Sequence, residues 1–221
     1  MLKTSPIEEK LLAAAGPQNL RAAVIGDSVC SVQPQFVAQP ENEEQLASLL
    51  SCVNETGVAV IPRGGGTKLD WGNPPKRADV ILSTTRLNQV LEHAWADLTV
   101  TVQAGCSVQT LQNTLAQRGQ RLACDCLWPE RSTVGGLLST NDSGALRLRF
   151  GALRDLIIGV TLALSNGTLA SSGGNMRGLK ASWRRLRRLR SISRPRANRH
   201  DIEPTGQPSC LAACSLVLPS R

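Results

Sequence analysis

A short apolar run, Val58-Ala59-Val60-Ile61, leads straight into Pro62-Arg63-Gly64-Gly65-Gly66-Thr67-Lys68-Leu69-Asp70-Trp71-Gly72. The run suits a buried parallel strand, and Pro62 is expected to close it. Three consecutive glycines then clear side chains from the backbone. Successive N–H groups can converge there on an anion, with the Thr67 hydroxyl as a further donor. The lysine follows the threonine rather than the last glycine, so this is not a Walker loop. Nor is the spacing that of the dinucleotide fingerprint Gly-x-Gly-x-x-Gly. A glycine triplet alone is equally the pattern of a mobile surface turn. If the loop grips an anion, Gly65→Val should fill the anion's space and leave the fold intact.

The flanking pattern gives the strand its setting. Residues 7–20 read as a helix stopped by Gly16-Pro17, and a connection follows to Pro40. Leu46, Leu49, Leu50 and Val53 place one apolar stripe on a second helix that ends near Gly57. Val80-Ile81-Leu82 and the alternating Leu98–Val102 are strands. Leu91-Glu92-His93 looks helix-like, and His93 reads as a surface or packing residue. An amphipathic helix lies within 106–119, residues 122–133 are loop, and Val134–Thr140 is a short helix. Leu156–Leu164 is apolar and β-branched, and Ser165-Asn166-Gly167-Thr168 turns it into a hairpin with Leu169-Ala170. The order predicts an α+β fold in two lobes meeting near residue 103. Residues 1–33 would be an N-terminal helix and connection, 34–102 the first lobe, 103–174 the second, and 175–221 a basic tail.

A second polar stretch runs Thr133-Val134-Gly135-Gly136-Leu137-Leu138-Ser139-Thr140-Asn141-Asp142-Ser143-Gly144. Its glycine pair allows close backbone approach, although a capped helix between two turns explains it as well. With the 62–72 loop stand Leu82–Leu87, Asp97–Gly105, Leu127-Trp128-Pro129-Glu130-Arg131 and Asp155–Gly167. In this order and spacing they resemble the FAD-binding domain of the vanillyl-alcohol-oxidase (PCMH-type) flavoprotein family, in particular the FAD-binding subunits of glycolate oxidase, from about Phe36 to Gly174.

The resemblance implies a PCMH-type FAD-binding domain of an oxidoreductase acting on small 2-hydroxy acids of the glycolate or D-lactate kind. Arg63, Gly64, Gly65, Gly66 and Thr67 would wrap the FAD pyrophosphate. Thr133, Val134, Gly135, Gly136, Thr140, Asn141, Ser143 and Gly144 would line the facing wall. Covalent-flavin members place a histidine after the glycines; Thr67 and Lys68 stand there here, so noncovalent FAD is expected. Trp71 and Trp128 either shield the flavin or pack the loops. Cys124-Asp125-Cys126 replaces the proline-rich turn usual in the family. The implied partners are the 2-hydroxy acid and other subunits of a glycolate oxidase-type complex, with no specific nucleic acid and no membrane span. The substrate domain is expected outside this stretch, so no catalytic base is assigned. An enolpyruvyl-sugar reductase-like flavoenzyme is the alternative within the fold.

The chain's net charge of +8 belongs to one segment. Residues 1–174 hold 14 Lys+Arg against 15 Asp+Glu, whereas 175–221 hold 11 against 2. Two readings of that tail stand. One is an Arg-rich arm, Trp183–Arg190 with Arg194-Pro195-Arg196, that makes the chain a nucleic-acid binder. The other is an out-of-frame extension. The family's Gly-Tyr-Asp turn is absent, yet the codons for Trp183–Arg188, shifted by one nucleotide, can read Gly-x-Gly-Tyr-Asp-Val. On that reading 175–221 takes no part in the core, the chain is truncated and the second lobe is incomplete. Seven cysteines without framework or zinc-ligand spacing read as reduced thiols. No apolar run reaches the roughly 18 residues of a membrane span, and the charged N-terminus lacks a secretory pattern. A cytoplasmic location is expected.

Overall fold

The computed structural model describes residues 6–172 and the strand at 212–219. The first sheet holds β1 (Leu20–Ala22), β2 (Phe36–Ala38), β3 (Val60–Arg63) and β4 (Val80–Ser83) in the order β1-β2-β4-β3. β2, β4 and β3 run parallel, and β1 is antiparallel to β2. All four residues of β4 are buried, as a strand covered on both faces requires. Val80 and Leu82 pack in one cluster with helices α1 (Pro6–Ala15) and α2 (Glu43–Thr56), while Ile81 joins Val37 and Val29 in another. This is the period-two alternation of a strand. α2 starts where Asn42 Oδ1 accepts the Gln45 N–H at 2.8 Å and stops at Gly57, φ 66°. β3 does not close at Pro62. It is the edge strand, and Ala59 and Arg63 turn their carbonyls to β4, so the intervening Pro62 nitrogen faces the open side and costs no ladder bond.

The second sheet is antiparallel throughout, in the order β5-β6-β9-β7-β8. Its strands are β5 (Val90–Ala94), β6 (Thr99–Gln103), β7 (Gly159–Ala163), β8 (Leu169–Ser172) and β9 (Ala212–Pro219). Helices α3 (Val108–Ala116), α4 (Val134–Thr140) and α5 (Arg147–Phe150) complete the lobe. Its core is built on Val100, Val102, Leu111, Leu115, Leu122 and Leu137. The lobes touch at the predicted hairpin, where Gly167 (φ 79°) sits against the α2 backbone at Ala47. Ala163 of β7 enters the first lobe's core.

Three expectations are corrected here. The lobe boundary falls between Ser83 and Val90, not at 102/103, because β5 and β6 pair with each other and with β9 rather than with the parallel sheet. Leu91-Glu92-His93 is strand, not helix: it lies in β5 opposite β6. Residues 1–33 hold the expected helix, α1, but the connection after it also supplies β1, which pairs with β2, so this segment is part of the first lobe.

The tail from 175 is not wholly outside the fold either. β9 lies between β6 and β7 and bonds to both. Without it the facing edges of β6 and β7 would leave a row of unpaired backbone groups. Leu211–Pro219 carries no charge, but its strand character was averaged away in a segment dominated by arginine. The Arg-rich run 183–196, proposed as a nucleic-acid arm, lies outside the described residues.

Candidate functional site

A cleft of about 210 Å³ opens between the lobes at the C-terminal end of β3. One wall is the loop from Pro62 to Leu69 with Thr84; the other runs from Ala104 and Ser132 to Thr140. Crevices outside the carboxyl ends of parallel strands are where such sheets bind ligands.

The glycine loop is pressed onto the opposite wall. A Cβ on Gly64 would overlap Thr133 Oγ1, and one on Gly65 would fall inside the Arg131 carbonyl. Gly65 is therefore required by backbone-to-backbone packing. Its missing side chain does not vacate the ligand's space, which corrects the sequence-based expectation for Gly65→Val. Gly66 adds φ 71°, a left-handed turn. With the chain held this way, the N–H groups of Gly64, Gly65, Gly66 and Thr67 donate no hydrogen bond to any described residue. Ser132 Oγ, buried in the facing wall, also lacks a hydrogen-bond partner among them. These are clustered donors without acceptors, which is what a phosphate's oxygens need.

The sequence-predicted residues divide. Arg63, Gly64, Gly65, Gly66, Thr67, Thr133, Gly135, Gly136 and Thr140 all line the cleft. Gly135 and Gly136 do so as close-packed backbone, for their N–H groups already donate to Ala104 O (2.8 Å) and Thr133 Oγ1 (3.2 Å). The Thr140 hydroxyl donates back to Gly136 O at 3.0 Å. Val134, Asn141, Ser143 and Gly144 do not line it. Val134 is buried in the second core. Asn141 ends α4 in the left-handed conformation, φ 54°. Ser143 Oγ accepts the Leu153 N–H at 2.9 Å, and Gly144 packs on the Asp125 carbonyl, so the Cys124-Asp125-Cys126 segment rests on this turn. Neither Trp71 nor Trp128 lines the cleft, and both are substantially exposed. His93 Nε2 pairs with Gln120 Oε1 at 2.8 Å, away from the cleft.

Two ion pairs that the sequence does not reveal, Arg63 with Asp27 and Lys68 with Asp142, complete the site's electrostatics. Arg63 reaches Asp27 Oδ1 at 3.0 Å, and Arg21 holds the other oxygen at 2.7 Å. The Arg21 hydrogen bond above all holds the Asp27 carboxyl well below the usual carboxylate range, with the Val24 N–H and Arg63 helping. No local signal tied Asp27 to a loop 36 residues away; only folding brings them together. Lys68 Nζ bonds Asp142 Oδ2 at 2.7 Å across the lobes and sits 5.5 Å from the Trp71 ring centre. Behind this wall, burial pushes the Cys124 thiol up to about 12.

A lobe with a mostly parallel sheet and a lobe with an antiparallel sheet, meeting at a glycine-lined cleft, make up the PCMH-type FAD-binding fold. Consistent with it, the solved structure of an alkyldihydroxyacetonephosphate synthase superposes with a TM-score of 0.71 at 19% identity, covering 99% of this chain and 41% of that one. Residues 34–173 match the FAD binding domain family, and the chain belongs to it. FAD is accordingly its cofactor. The chain is 30% identical over 181 residues to the glycolate oxidase subunit GlcD of Bacillus subtilis, covering 78% of this chain. It is 31% identical over 135 residues to the mitochondrial D-2-hydroxyglutarate dehydrogenase of Bos taurus, covering 61% of this chain. It spans 38% and 25% of those relatives' lengths.

Proposed function

We propose that this chain is the FAD-holding part of an oxidoreductase acting on small 2-hydroxy acids, of the glycolate or D-lactate kind. The observation that carries the reading is the row of four main-chain N–H groups, Gly64 to Thr67, left without acceptors among the described residues in the interlobe cleft. The FAD diphosphate would lie along Arg63–Thr67, facing Thr133, Gly135, Gly136 and Thr140. The Ser132 and Thr67 hydroxyls would supply further donors. Bound flavin would supply two-electron, hydride-accepting chemistry. The residues of this chain bind and orient it and exclude water from the cleft. The substrate class rests on the names of the two relatives, glycolate oxidase and D-2-hydroxyglutarate dehydrogenase. The former also supports other subunits of a glycolate oxidase-type complex as partners. Attachment would be noncovalent, because Thr67 and Lys68 follow the glycines and His93 is tied to Gln120. A cytoplasmic location fits the free thiols of Cys30, Cys52, Cys106, Cys124 and Cys126.

The test has two stages. The chain is first titrated with FAD and quenching of flavin fluorescence is followed, with saturation at one equivalent expected. The chain is then isolated in its native complex and mixed without oxygen with glycolate, D-lactate or D-2-hydroxyglutarate. Bleaching of the visible flavin band by at least one is expected. Binding without bleaching by any 2-hydroxy acid overturns the substrate class; no binding overturns the cofactor site.

A further inference from the structure

Among the described residues, Arg63 and Lys68 are the only charged ones lining the cleft, and both are cations. Each is held from behind by a carboxylate that does not line it, Asp27 for Arg63 and Asp142 for Lys68. The two arrangements differ. The Arg63 guanidinium shares Asp27 with Arg21 inside the first lobe. Lys68 extends from the glycine loop to an aspartate of the opposite lobe, and its side chain is only 9% exposed. An ammonium so far out of water needs more than one acceptor to offset its lost hydration. Asp142 takes one of its three N–H donors, and the Trp71 face satisfies the charge only in part. The pair's dipole thus presents its cationic end to the cleft, beside the unpaired N–H groups of Gly64–Thr67.

We infer that Lys68 is a cofactor-binding residue whose ammonium takes a diphosphate oxygen of FAD, and that Asp142 is its positioning residue. The inference rests on the reading of this cleft as the diphosphate site. A charge-assisted bond in a cleft of reduced water access is strong, so its removal should be felt in affinity. The competing role is a latch between the lobes, which would need the pair but not the charge in the cleft.

Dissociation constants of the full chain for FAD, ADP and riboflavin separate the two roles, measured in K68M, D142N, K68R and the double variant K68M/D142N. K68M should weaken FAD and ADP by about tenfold or more while leaving riboflavin unchanged. It should also flatten the fall of affinity with salt. D142N should weaken both by a smaller factor, and K68R should keep most of the affinity. The double variant strands no charge, so its melting temperature should return toward wild type while its affinity stays as poor as that of K68M. It also keeps the test usable if K68M alone does not fold. Wild-type affinity in the double variant makes the pair a latch and overturns the inference. So does a loss of riboflavin binding as large as the loss of ADP binding. A wild-type chain that binds none of the three ligands overturns the reading of the cleft itself, and this inference with it.

Discussion

Gly65 shows how little room one residue can have. Any Cβ there meets the Arg131 carbonyl, so Gly65→Val must push the glycine loop off the wall that carries Ser132 and Thr133. The expected outcome is loss of flavin binding together with a loss of stability of about 1–3 kcal/mol, measured by urea unfolding of the flavin-free chain. Unchanged stability with lost binding would instead point to direct obstruction of the ligand. Asp27 gives a test by pH. Its folded-state carboxyl titrates below the ordinary value, so its contribution is fully present above about pH 4 and is lost as pH falls through the folded value. Asp27→Asn should cost about 2 kcal/mol at pH 7, and the gap to wild type should shrink in strong acid. A gap that is constant with pH would show that the carboxylate's charge plays no part. Cys124, pushed up to about 12 by burial, should resist iodoacetamide at pH 8 in the native protein and react once the chain is unfolded.

Among the elements, β9 is the one on which the second lobe depends. Its five-residue ladder with β6 and its ladder with β7 join two hairpins, β5-β6 and β7-β8, that otherwise share no strand. Two-stranded hairpins are marginal alone, and the sheet face that covers α4 exists only when they are joined. Val217 faces Thr101 on one side and Gly159 on the other. Val217→Pro would remove a backbone donor from the middle of this central strand. A loss of about 3 kcal/mol or more is expected, enough to unfold a marginal lobe. Circular dichroism and hydrogen exchange at β6 and β7 would report it. Native protection of those strands in the variant would mean that β9 is dispensable to the sheet.

At the scale of the molecule, the cleft belongs to neither lobe. Loop 62–69 comes from one and Ser132–Thr140 from the other, so a ligand seated between them ties the lobes together. FAD at about 100 times its dissociation constant should raise unfolding stability by about 2.7 kcal/mol, protecting both lobes in hydrogen exchange. Protection confined to one lobe would place the ligand elsewhere. The flavin should leave with the supernatant when the protein is precipitated by acid or heat. Colour retained in the washed precipitate would reveal a covalent bond.

Local chemistry made much of this legible in the sequence. The helix at Glu43–Thr56 follows from its apolar stripe and the stop at Gly57, and the 159–172 hairpin from Asn166-Gly167. The glycine loop was readable because an exposed row of N–H groups needs only the absence of side chains over consecutive residues. What required the tertiary structure was every relation between distant segments. Ser143 and Gly144 look like ligands in a polar run, yet their partners are Leu153 and Asp125, which only the fold brings near. Asp27 and Asp142 hold the cleft's two cations across 36 and 74 residues of chain. β9 finds its place from the unpaired edges of β6 and β7 and not from its own charged surroundings. A strand's partner depends on which backbone groups remain unsatisfied once everything else has folded, and no window of sequence contains that information.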